Sequence, residues 1–167
     1  MISRRVRRVA ETWIVNSSPL IILHRIGNLN LLPRLGAQVA IPGGVLDEIG
    51  RGPAPIAGEI LGAFREVAVQ SIDTIVAGWD LGRGESEVLT WASATRSAVA
   101  ILDDLAARRC ATSLGIQTHG TLFVLVEAKR AGLIPAVAPL IDRARSTGFF
   151  LSDVIVRNVL RAAGEGA

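Results

Sequence analysis

The sequence predicts one α/β domain built on a mostly parallel sheet, and three observations carry that expectation. Short apolar runs alternate with longer amphipathic ones along the chain, and several of the short runs are rich in Val and Ile. Those short runs are bounded by Gly, Pro, Asn or Asp, the residues that terminate strands. Half of the 167 residues are hydrophobic, which at this length suits one domain burying about 70% of its unfolded surface. Alternating strand and helix signals imply a parallel sheet covered by helices on both faces, doubly wound and of flavodoxin-like or related topology.

Strands are expected at Thr12–Val15, Gln38–Ile41, Val67–Val69, Ala98–Leu102 and Ile116–His119. The helix expected at Pro19–Ile26 opens on proline, which suits a first helical turn. Further helices are expected at Val45–Ile49, Ile56–Arg65, Glu85–Ala94, Leu105–Leu114, Thr121–Ala131, Val137–Ser146 and Asp153–Ala162. Ser152 is placed to cap the last of these, and Gly164 follows its end. The stretch "GRGPAPIAG" (50–58) is the clearest loop, and the Phe149–Phe150–Leu151 run and the apolar stripes of the last helices are assigned to the core.

Composition narrows the function classes. The single Cys110 excludes an intramolecular disulfide and a CxxC metal site, and His24 and His119 match no zinc spacing. The uncharged run Thr12–Leu23 is too short to span a bilayer. The start "MISRRVRR" imitates the basic region of a signal peptide, but Ala10–Glu11 follows it and no convincing cleavage site closes the apolar run. A cytoplasmic protein is expected, with residues 1–11 as a basic, frayed tail carrying Arg4, Arg5, Arg7 and Arg8, and 12–167 as the domain. The net charge of +3 is modest and weighted to arginine, with Lys129 the only lysine.

In open parallel sheets, ligands bind beyond the carboxyl ends of the strands, so strand-ending residues matter most. The first strand ends at Asn16, and the fourth runs into Asp103 and Asp104. If those strands are neighbours, an amide and two carboxylates meet in one crevice. In "IPGGVLDEIG", Glu48 borders the apolar face made by Val45, Leu46 and Ile49, whereas Asp47 faces solvent. In "GRGESEVLTWA", Glu85 shares a stripe with Leu89 and Ala92, while Glu87 points elsewhere. Converging carboxylates repel one another, and an oxygen-only set suits Mg²⁺ or Mn²⁺. Such an ion can lower the pKa of bound water and stabilise an in-line phosphoryl displacement. Each residue also has a plainer role open to it. Asp103 or Asp104 could cap the helix starting at Leu105, Glu85 could favour its helix N-terminus, Glu48 could be a surface glutamate, and Asn16 could end a strand in a turn.

These segments, in order, resemble the PIN-domain family, in particular a PIN-like branch related to VapC-like toxin ribonucleases. The match runs from "VNSSPLIILHRIGNLNLL" through "IPGGVLDEI", "LGRGESEVLTWA" and "AILDDLAARRCATSLG" to "THGTLFVLVEAKRAGLIP" and "PLIDRARSTGFFLSDVIVRNVLRAAGE". The resemblance implies a three-layer α/β/α fold with a five-stranded parallel sheet, and an acidic cluster around Mg²⁺ or Mn²⁺ that cleaves single-stranded RNA. It implies a metal-binding and catalytic set of Asn16, Glu48, Glu85, Asp103 and Asp104, with Glu87 the less favoured choice for the third acid and Ser18 orienting Asn16. It further implies a homodimer and a small antitoxin partner, with no membrane. One departure stands out, because Asn16 occupies the place of the family's first acid. An amide oxygen can ligate a hard cation but brings no charge, so metal affinity should fall. The alternative is a weak or inactive PIN-like module that binds nucleic acid or a partner. His119 is expected to be structural, "GRGES" lacks the lysine of a phosphate loop, and Ser17 and Ser18 lack a serine-hydrolase elbow.

Overall fold

Five parallel strands in the order β3-β2-β1-β4-β5 form the sheet. The computed structural model describes residues 11–166, except positions 37 and 54 and the side chains of residues 59 and 60. The arginines of the expected basic tail lie outside the described residues. In chain order the elements are β1 (Thr12–Val15), α1 (Ser17–Arg25), α2 (Leu31–Leu35), β2 (Gln38–Pro42) and α3 (Gly43–Arg51). A 3-10 helix at Gly58–Ala63 follows, then β3 (Arg65–Val67), α4 (Thr74–Ala77), α5 (Arg83–Ala94) and β4 (Ala98–Ile101). The chain continues through α6 (Leu105–Ser113), β5 (Gln117–His119), α7 (Thr121–Arg130), α8 (Ala138–Ser146) and α9 (Asp153–Ala162).

The central strand β1 is flanked by β2 and β4, with Thr12 opposite both Gln38 and Ala98, and Val15 opposite Ile101. Its residues Trp13, Ile14 and Val15 are buried, as a strand covered on both faces must be. Helix α5 packs on β1, β2 and β4 and touches α3, α4 and α6, while α7 packs with α1, α2 and α9. This is the expected α/β/α architecture. The chain first steps from β1 to β2 and β3, then crosses back to β4 on the other side of β1. The switch point of the sheet therefore lies between the carboxyl ends of β1 and β4, where two outgoing connections part and leave a crevice.

Several local expectations are corrected. Helix α1 begins at Ser17, so Pro19 is its third residue; its missing N–H falls in the first turn, where no intrahelical acceptor exists. The Ile56–Arg65 helix is only a 3-10 turn, because the chain must leave it extended to enter β3. That edge strand sits two residues earlier than expected, at Arg65–Val67, where it pairs with β2 alone. Helices α2 and α4 were not anticipated. The first contains Pro33, and the second is the β-branched "TIVA" turn capped by Asp73, whose Oδ1 accepts from the Ile75 and Val76 N–H groups. Helix α9 has the expected bounds and Ser152 cap, and Gly164 follows at φ +73°. It buries no residue fully, however, and Val154 and Ile155 face outward. Phe150 is 88% exposed, unlike Leu151 and the partly buried Phe149 on either side, so it does not join the core.

Candidate active site

The turn from β1 into α1 sits at the switch point, where the Asn16 N–H donates to the Ile101 carbonyl of β4 at 3.0 Å. Three successive side chains on this turn reach three different acids. Asn16 Nδ2 lies 3.4 Å from Glu85 Oε1, Ser17 Oγ donates to Glu48 Oε2 at 2.7 Å, and Ser18 Oγ lies 3.5 Å from Asp103 Oδ2. The first and fourth strands are neighbours, the condition on which the sequence reading of this edge depended, and Glu48 and Glu85 arrive from α3 and α5.

Each acid is also held by backbone. Glu48 Oε1 accepts from the Gly84 N–H at 2.9 Å, and Glu85 Oε2 from the Gly82 N–H at 3.0 Å. Asp103 is the most firmly fixed. Its Oδ1 accepts from the Thr121 N–H at 2.8 Å and its Oδ2 from the Thr121 hydroxyl at 2.6 Å. The donors come from the first turns of α5 and α7, where N–H groups lack helical acceptors and the helix dipole favours negative charge. Glycine makes the approach possible. A β-carbon on Gly84 would stand 2.8 Å from both Glu48 carboxylate oxygens, and one on Gly120 would stand 2.8 Å from Asp103 Oδ1.

Asn16 is 2% exposed, and its Oδ1 is buried with no hydrogen-bond partner among the described residues. Because a carboxylate only accepts, the amide must turn its nitrogen to Glu85, which leaves the oxygen orphaned. Such an atom is costly unless a water or cation meets it. An oxygen-only donor set with one orphaned amide oxygen fits a hard divalent cation in chemistry. As the side chains stand, no group of three or more His, Cys, Asp or Glu residues among those described is gathered tightly enough to hold a metal. The acids are instead anchored separately, Glu48 and Glu85 on different N–H groups at the start of α5 and Asp103 on Thr121 at the start of α7.

Two of the expected residues behave differently. Asp104 is the N-cap of α6, its Oδ1 accepting from the Ala107 N–H at 2.8 Å, and no hydrogen bond ties it to the other acids. Ser18 turns to Asp103 rather than to Asn16. Ser17 and Thr121 were missed as supports for Glu48 and Asp103. The signal for Thr121 was its place directly after a strand and a glycine, opening a helix; for Ser17 none existed beyond adjacency to Asn16. Glu87 is 5% exposed and separate from the cluster. It accepts from the Gly44 N–H at 2.7 Å and pairs with Arg83 at 2.8 Å, while Arg83 also binds Asp47 at 2.7 Å. The hydrogen bonds to Glu87 and Asp47 push the Arg83 pKa up, keeping it charged. His119 stacks on Phe123 with ring centroids 3.5 Å apart and planes 6° from parallel.

Carboxylates anchored around the switch point of a five-stranded parallel sheet define the class, an α/β domain with acids at the sheet edge where such folds bind ligands. A family model described as PIN domain matches residues 12–165, and the chain belongs to that family. PIN domains are generally nucleases, which makes nucleic acid the expected ligand and phosphodiester hydrolysis the expected chemistry. No curated protein matches the chain. Among the described residues, no helix is long and apolar enough to cross a membrane.

Proposed function

We propose that this protein is a Mg²⁺- or Mn²⁺-dependent endoribonuclease acting on single-stranded RNA, the toxin of a toxin–antitoxin pair. The observation that carries the reading is the Asn16–Ser17–Ser18 turn, whose three side chains reach Glu85, Glu48 and Asp103 at the switch point beside one orphaned amide oxygen. Asn16 Oδ1, Glu48, Glu85 and Asp103 are the residues that would hold the cation. When bound, the ion supplies the positive charge that lets carboxylates face an RNA phosphate and that polarises it. The chain's own part is positioning. Thr121 fixes Asp103 from two directions, Gly84 and Ser17 fix Glu48, and Glu85 is held most loosely, by Gly82 and the long Asn16 contact. Apart from Asp103 Oδ2, which accepts from both Thr121 and Ser18, each carboxylate oxygen of the set keeps a second lone pair for a ligand.

A cytoplasmic location and a homodimer or small antitoxin partner belong to the same reading. The fully buried, unpaired Cys110 suits a reducing compartment, and outward-facing Phe150, Val154 and Ile155 offer an apolar surface for a partner. Purified protein with Mn²⁺ should cut single-stranded RNA. Glu48→Ala and Asp103→Ala should each lower the rate on the order of 100-fold or more. Asp104→Ala should instead cost about 1 kcal/mol of stability through its lost cap. A wild type that cuts nothing, or acid variants that cut equally well, would sink the reading. The spread of the acids onto separate helix N–H donors favours a second reading, a PIN module that binds without cutting. Calorimetric titration separates them, since that module would take up no Mn²⁺ at millimolar concentration.

A further inference from the structure

Beside Asp103 the crevice continues into a cleft of about 280 Å³ lined by Asp103, Arg108, His119, Gly120, Leu122 and Phe123. An acidic site that receives a polyanion needs a cation to hold the strand, and the nearby arginines differ in their commitments. Arg83 is bound to Asp47 and Glu87, and Arg25 donates to the Thr147 carbonyl at 3.3 Å. The Arg108 backbone is bonded to Asp104 and Thr112, but its side chain, exposed in the first turn of α6, makes no hydrogen bond or ion pair among the described residues. It is nonetheless close to the site. The point where a Gly120 β-carbon would stand is 3.7 Å from Arg108 Nη1 and 2.8 Å from Asp103 Oδ1. Thr121 already binds both Asp103 oxygens, so the guanidinium stays available.

The opposite wall is aromatic. His119 lies flat on Phe123, which is braced at a 58° tilt against Trp13. Burial holds the His119 pKa below its ordinary 6.5, opposed by Glu11 and Glu127 and reinforced by Arg108, so the ring is uncharged at neutral pH. A neutral, half-buried ring beside a free guanidinium pairs a stacking surface with a phosphate anchor, the combination that single-strand binders use. The volume is near the lower end for small-molecule pockets, of the size of one nucleotide.

We propose that this cleft is the subsite for the nucleotide adjoining the scissile phosphate of a single-stranded nucleic acid, with Arg108 binding its phosphate and the His119–Phe123 wall receiving its base. The inference rests on Asp103 marking the reacting edge. It is tested by fluorescence anisotropy with a labelled RNA oligonucleotide in EDTA, where binding is read without cleavage. Arg108→Ala should weaken binding on the order of 10-fold and lower the salt slope by about 0.7, one phosphate contact on a single strand. Arg108→Lys should restore the slope and part of the affinity. His119→Ala should weaken binding to the normal oligonucleotide several-fold but leave an abasic one unchanged. A DNA arm separates the sources of the ligand: tighter RNA binding assigns the subsite to ribonucleotides, and equal binding assigns it to phosphate and base alone. Wild-type affinity and salt slope in a folded Arg108→Ala protein would overturn the assignment, as would a wild type that binds no single strand. Failure of the nuclease reading looks different, because the wild type then binds in EDTA with these variant effects yet cuts nothing when Mn²⁺ is added.

Discussion

Helix α5 carries two glutamates two positions apart, and their surroundings are opposite. Glu87 is buried, binds the Gly44 N–H, and meets a guanidinium that Asp47 steadies from the far side. Glu85 is half-buried, binds the Gly82 N–H, and meets only an amide nitrogen at 3.4 Å. One carboxylate is finished within the fold, tying α5 to the start of α3. The other is left with spare acceptor capacity, beside a buried oxygen that has no partner. Neighbouring acids of the same type can thus be structural or ligand-seeking, and the presence of a fixed cation marks the difference.

The sharpest way to break this comparison is to truncate each glutamate in turn. Glu87→Ala should cost about 2–3 kcal/mol, since it strips the buried Gly44 N–H of its acceptor. The exposed side of the Arg83 pair adds little to that figure. In a thermal melt the loss reads as a fall of roughly 5–10 °C for a chain of this size, with cleavage per folded molecule changed by less than about 3-fold. Glu85→Ala should do the reverse, lowering cleavage on the order of 100-fold while costing under about 1 kcal/mol. Equal profiles for the two variants would erase the distinction.

A smaller effect is expected from Asn16→Asp, which adds a charge where the amide now faces Glu85. Titration with Mn²⁺ should show affinity rising on the order of 10-fold, and the metal-free protein should melt a few degrees lower from carboxylate repulsion. The smallest contrast concerns the two glycines. A Gly44 β-carbon would stand 2.9 Å from all three atoms of the buried Glu87 carboxylate, whereas a Gly82 β-carbon would meet only Glu85 Oε2 that closely. Chemical denaturation should therefore show Gly44→Ala losing about 1–3 kcal/mol and Gly82→Ala losing less, because Glu85 can swing aside.

Much of this architecture was legible because a sheet buried on both faces writes itself into the sequence as short apolar runs. The bounds of β1, and of β4 to within one residue, followed from those runs, which put Asn16 and Asp103 just past the carboxyl ends of what prove to be neighbouring strands. Edge strand β3 was misplaced by two residues because pairing on one side with β2 chose its register, and "REVAV" offers a similar pattern in either frame. The short helices α2 and α4 had no apolar period long enough to read, although Asp73 was a visible cap. Helix α9 shows the limit of amphipathic pattern. Its apolar residues were expected inside, but Val154 and Ile155 are exposed, while Val156, Val159 and Leu160 pack against the core.

The sequence by itself determined the α/β class and the polar residues at the strand ends, because these depend on residue type and short-range period, and the family resemblance added that Asn16 stands where an acid is usual. Only the tertiary structure decided what each acid touches. Asp103 and Asp104 are adjacent in the chain, yet one enters the crevice and the other caps a helix, because Thr121 arrives from a different element to receive the first. The same holds for Ser17 and Asn16, whose partners Glu48 and Glu85 lie far along the chain, and for Arg108, which Gly120 of the next strand-to-helix turn adjoins. Hydrogen bonds and charges act over a few ångströms of space, and which residues lie within that reach is settled only when helices and strands pack.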